Sequence, residues 1–127
     1  MSQMTPDILY QRLLLFAKSC QKLVYRLPKS IYNIEYGGQL IRCSASPGAN
    51  YIEAIEAISR KDFTYRLKIC RKECRESIHW LLLIESANGE DASIKRETEQ
   101  LIKEAREFIR IFTSSILTSE KNRGIAK

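Results

Sequence analysis

The sequence predicts an all-α protein: an antiparallel up-down-up-down four-helix bundle formed by a single domain. Three observations carry that expectation. Apolar residues recur at alternating spacings of four and three through four long stretches, which is the repeat of one helix face. No run alternates apolar and polar residues at the period of a half-buried strand. The 127 residues include only 5 glycines and 3 prolines, so turns are few and elements long. A chain of this length suits one core, and 44% hydrophobic with 28% charged residues is the composition of a folded domain.

The expected helices span about 6–27, 31–57, 60–87 and 92–118. Thr5-Pro6-Asp7 opens the first with a capping hydroxyl, a proline at the first helical position and an acid near the positive dipole end. Leu9, Leu13, Phe16, Cys20, Leu23 and Leu27 form its seam, and Pro28 stops it. Ser30 is the next N-cap. The second seam reads Ile34, Gly38, Ile41, Ala45, Gly48, Ile52 and Ile55, rich in small residues that permit close helix approach. Pro47 lacks an amide hydrogen and its ring opposes the carbonyl of Cys43, so a kink is expected there. Because the heptad phase runs unbroken across Pro47, one kinked helix is favoured over two.

Ser59 and Asp62 have capping-box spacing and open the third helix. Its seam is Phe63, Leu67, Cys70, Cys74, Ser77, Leu81 and Ile84, and Asn88-Gly89 ends it. The fourth begins near Ala92 or Ser93, with Ile94, Leu101, Ala105, Phe108 and Phe112 on one face, widened by Ile102, Ile109 and Ile116. The tail from Ser119 to Lys127 has no seam and is expected to be frayed.

The net charge of +6 makes acidic partners plausible, although it also suits plain solubility. Lys18, Lys22, Arg26 and Lys29 form a basic ridge on the first helix, with Tyr25 and Tyr32 close by. Lys68, Arg71, Lys72 and Arg75 form a second cluster on the third. Together they are the candidate nucleic-acid patch, since such ridges neutralise phosphates and tyrosines stack on unpaired bases. A solvated polar face is the alternative. MSQMTPD is not a secretory leader, and Trp80 to Ile84 is the longest uninterrupted apolar run, so a cytoplasmic chain without a membrane partner is expected. Cys20, Cys43, Cys70 and Cys74 fall within helical patterns and read as reduced core residues.

A polar stripe borders the second seam. Folding the hairpin between helices two and three brings Arg42 level with Glu73 and Glu76, and Glu53 near Lys61, Arg66 and Lys68. Partly buried cross-helix charge pairs are expected there, setting register. Glu76-Ser77-Ile78-His79 matches half of a di-iron motif, but His79 is the only histidine. Cys70 and Cys74 have no second ligand pair at zinc-site spacing. No phosphate-binding glycine loop is present. No catalytic, cofactor or metal residues are assigned, and neither an enzyme nor a small-molecule substrate is expected.

The run QLIRCSASPGANYIEA at 39–54, followed by AISRKDFTYRLKICRKECRESIHWLLLI at 57–84, resembles the bacterial four-helix-bundle proteins called 23S rRNA-intervening-sequence proteins. Gln39, Arg42, Ser46, Gly48, Asn50, Tyr51, Glu53, Asp62, Phe63, Glu73, Glu76 and Trp80 carry the likeness, which covers nearly the whole chain. Of these, Arg42, Asn50, Glu53, Asp62, Glu73 and Glu76 make up the motif's polar network. Cys43 stands where serine is usual and Pro47 where isoleucine is usual. The resemblance implies a cytoplasmic, ring-like homo-oligomer, typically a pentamer, with no catalytic residues to carry over. It implies association with ribosomal or other RNA, or with a nucleoprotein. The alternative is an interaction scaffold whose ring is the functional feature, without nucleic acid.

Overall fold

The computed structural model describes residues 4–125, with four helices in chain order and no strand among them. They are α1 (Pro6–Arg26), α2 (Ile31–Ile55), α3 (Arg60–Ala87) and α4 (Ala92–Ile125). Consecutive helices pack side by side, α4 closes against α1, and α1 and α3 lie across the bundle from one another without adjoining. The expected four-helix bundle is therefore the observed fold.

The helix starts are set by local chemistry. Thr5 Oγ1 accepts from the Ile8 amide, Ser30 Oγ from the Asn33 amide and Ser59 Oγ from the Asp62 amide. Each satisfies an amide that has no partner inside its helix. Asp91 Oδ1 does the same for Ser93 and Ile94, fixing the start of α4 at Ala92, one of the two expected positions. At the end of the bundle where Ser30 and Asp91 lie, Asn33 and Asn88 exchange two side-chain hydrogen bonds of 2.9 and 2.8 Å. Their amide nitrogens also donate to the Pro28 and Ile84 carbonyls, tying the α1–α2 turn to the end of α3.

The seams of α1 and α3 are buried as expected, apart from Leu27 and Phe63, which are half-buried. The expected face of α4 is buried too, with Ile102 and Ile116 inside it and Ile109 half-buried. Phe16 and Phe108 meet edge-to-face at 5.6 Å near the core centre, with the Arg12 guanidinium 5.2 Å above the Phe108 ring. Arg12 pairs with Glu104 through two hydrogen bonds across the α1–α4 seam.

Two expectations are corrected. The buried face of α2 is Asn33, Gly37, Leu40, Cys43, Ser44, Pro47, Tyr51 and Ala54, about one residue out of phase with the expected seam. Gly37 makes the close approach: a Cβ there would sit 2.8 Å from Val24 Cγ1, whereas one at Gly38 would meet nothing within 4 Å. The second correction concerns the tail, which is helical to Ile125. Ser119 is buried and shares a 2.6 Å hydrogen bond with Thr64 of α3, while Glu120 pairs with Lys68. Polar links to α3 hold a segment that lacks an apolar seam; residues 126 and 127 lie outside the described range. As the unbroken phase predicts, α2 runs through Pro47 as one helix, and the Pro47 carbonyl accepts from the Cys70 thiol at 3.4 Å.

Candidate functional site

The phase shift of α2 leaves its more apolar stripe facing outward. Ile34, Ile41, Ile52 and Ile55 are 57%, 45%, 47% and 47% exposed, with exposed Gly38 and Ala45 between them. Scattered exposed apolar residues are ordinary on a protein surface, but a continuous stripe along one helix is the feature that marks an interaction face.

The two basic clusters do not form one patch, because α1 and α3 are not neighbours. Lys18, Lys22 and Arg26 of α1 and Lys29 of the turn that follows it are all exposed, beside a Tyr25 that is 90% exposed and an exposed Tyr32 at the start of α2. Arg26 pairs with Glu97 of α4, and among the described residues Lys18, Lys22 and Lys29 make no ion pair. On α3, Lys68 is engaged by Glu120 and Arg71 donates to Thr113 of α4, while Lys72 and Arg75 are exposed. The α1 ridge is therefore the more available of the two.

The expected charge network between α2 and α3 is also rearranged. Arg42 and Glu53 are exposed and make no ion pair among the described residues, because the rotation of α2 turns them away from α3. Asn50 takes the place expected for a charged partner and accepts from Arg66 Nη1 at 3.1 Å. Arg66 Nε, buried and without a hydrogen bond, lies 4.0 Å from Asp62 Oδ1. Cys43, the neighbour of Arg42, faces Glu73 and Glu76; the three ligand-type atoms lie within 4.8 Å of one another. The Cys43 thiol donates to Glu76 Oε2 at 3.5 Å. Burial, followed by this hydrogen bond and the two carboxylate charges, pushes its pKa up to about 11. Sequence spacing did not single out this trio, because it joins two helices. The placement of residue 42 level with Glu73 and Glu76 was the nearest signal.

The sequence model of the 23S rRNA-intervening sequence protein family matches residues 7–114, most of the chain. The chain belongs to that family. It is similar to a crystal structure of a protein with unknown function from the S23 ribosomal protein family of Bacteroides thetaiotaomicron VPI-5482. The two share 26% identity and a TM-score of 0.76, over 89% of this chain and 98% of that one. Comparison with curated proteins finds no match.

An open groove of about 410 Å³ between α1 and α4 is lined by Leu15, Phe16, Ser19, Arg96, Glu97 and Glu104. Its carboxylates are already paired with Arg26 and Arg12. His79 is exposed, edge-on to Trp80 at 4.8 Å. Cys20, Cys70 and Cys74 are free thiols buried in the core; desolvation pushes Cys20 and Cys70 up to about 12 and raises Cys74 as well. Such thiols remain protonated and unreactive near neutral pH. No helix among the described residues is long and apolar enough to cross a membrane.

Proposed function

We propose that this protein is a non-enzymatic, basic, homo-oligomeric module in which the outward isoleucine stripe of α2 forms the contact between copies, and that the assembly associates with RNA. The stripe is the observation that carries the reading. It is apolar and lies on the same helix face through most of α2. Burying it against a different surface of the next copy, the head-to-tail contact that closes a ring, removes the isoleucine side chains from water, at roughly 25 cal/mol per Å² of apolar surface. A closed ring, a pentamer by resemblance to the family, uses this face in every copy. Each subunit has a mass of 14.7 kDa, so light scattering reads the assembly directly. The expected mass is about five times that of the chain, falling to one subunit in Ile41→Lys and Ile52→Lys. A monomeric parent protein refutes the assembly.

The RNA reading rests on the α1 ridge. Three exposed lysines that make no ion pair among the described residues lie beside two exposed tyrosines, the combination that supplies phosphate neutralisation and base stacking. Filter binding with single-stranded RNA tests it. Affinity is expected to fall steeply with salt and to weaken in Lys18→Gln, Lys22→Gln and Lys29→Gln. An oligomer that binds no RNA at low salt favours the alternative, an interaction scaffold whose ring is itself the functional feature.

A further inference from the structure

We propose that Cys43, Glu73 and Glu76 form a binding site for a zinc-class divalent cation that staples α2 to α3. The argument begins with geometry. Glu73 and Glu76 are three residues apart on α3, so their carboxylates share one face, and Cys43 reaches them from α2. The thiol is almost fully buried while the carboxylates open toward solvent, giving a cation a path to the sulfur. The three donor atoms lie within 4.8 Å of one another. In a tetrahedral zinc site, with metal–ligand distances near 2.0–2.3 Å, donors stand about 3.5 Å apart. Closing the difference takes about 1 Å of movement, which rotation of two partly exposed glutamate side chains supplies without moving either helix.

Charge points the same way. Among the described residues no lysine or arginine pairs with Glu73 or Glu76, because Arg42 faces outward. Two carboxylates therefore converge on a thiol with no basic side chain within ion-pair distance among the described residues. A divalent cation supplies the counter-charge: the thiol proton leaves to solvent as sulfur bonds the metal, and two carboxylates with one thiolate offset the double positive charge. The donor set also selects the ion. Magnesium and calcium prefer all-oxygen shells, whereas a thiolate with two carboxylates favours zinc or its spectroscopic substitute, cobalt(II). Water completes the fourth position. The site bridges α2 and α3 and does not depend on the α2 stripe or on RNA.

Cobalt(II) titration of the reduced full-length chain tests the proposal, with zinc competition as the second readout. The expected result is one equivalent of cobalt with a thiolate-to-metal charge-transfer band, displaced by one equivalent of zinc. Cys43→Ser, isosteric and checked for its helical circular dichroism, is expected to lose the band. Glu73→Gln and Glu76→Gln are each expected to weaken zinc by at least ~10-fold, by analogy with losses measured at metal sites. Absence of the band in the parent chain overturns the proposal. So does a band that persists in Cys43→Ser, since it would belong to Cys20, Cys70 or Cys74.

Discussion

Gly37 and Gly38 are adjacent, yet the same substitution is expected to have opposite effects at the two positions. Replacing glycine by alanine inside a helix gains about 0.8–1.0 kcal/mol of intrinsic propensity. At Gly38 the new methyl meets nothing within 4 Å, so Gly38→Ala should stabilise the fold by about that amount. At Gly37 the methyl would sit 2.8 Å from Val24 Cγ1 and 3.6 Å from Cγ2. Valine is stiff about χ1 in a helix, so relief requires an off-rotamer side chain or a backbone shift, costing about 1–3 kcal/mol. Gly37→Ala should therefore be destabilising by up to about 2 kcal/mol after the propensity gain. The two variants should differ by about 2 kcal/mol, or about 1 M in urea midpoint. Equilibrium urea unfolding in an Ile41→Lys background measures this without a contribution from self-association. Equal stabilisation by both substitutions would refute the close α1–α2 approach at Gly37 and with it the observed phase of α2.

Three further outcomes follow from the core and its polar ties. Phe108→Ala removes a fully buried ring packed on Phe16 and beneath Arg12, and should cost about 3–5 kcal/mol in the same assay. Asn88→Asp removes the amide donors to Asn33 and to the Ile84 carbonyl, and should cost about 1–3 kcal/mol, with faster amide exchange at the α1–α2 turn as its local signature. The core thiols predict an alkaline limit to stability. Their folded pKa values stand above the ordinary 9.0, with Cys20 and Cys70 up to about 12, so the folded state holds protons that the unfolded chain releases. Stability from this source is intact below pH 9 and falls as pH rises toward 12, by up to about 1.4 kcal/mol per pH unit for each thiol. Urea midpoints measured across that window should fall less steeply in Cys20→Ala than in the parent chain.

Four helices, three serine or threonine caps and the seams of α1, α3 and α4 were legible because each is local: a cap reaches three residues, and a seam repeats within its own helix. The helix through Ser119 to Ile125 was not, since Thr64 and Lys68 secure it from more than fifty residues away. The case of α2 is different. Asn33, Gly37, Leu40, Ser44, Pro47, Tyr51 and Ala54 recur at the same four-three spacing as Ile34, Gly38, Ile41, Ala45, Gly48, Ile52 and Ile55. Periodicity identifies both stripes and does not choose between them, while hydrophobicity favours the one that proves to face outward.

The sequence by itself determined the helices, their order and the family, because periodicity, capping and a long motif are properties of the linear chain. Only the tertiary structure decided which side of α2 is inside, and both the proposed contact between copies and the Cys43 cluster depend on that rotation. It exposes the isoleucines, turns Arg42 and Glu53 away from α3, and brings Cys43 to Glu73 and Glu76. The physical reason is that helix phase is set by what two surfaces can bury together. The tight fit of Gly37 against Val24 and of Asn33 against Asn88 belongs to no single helix.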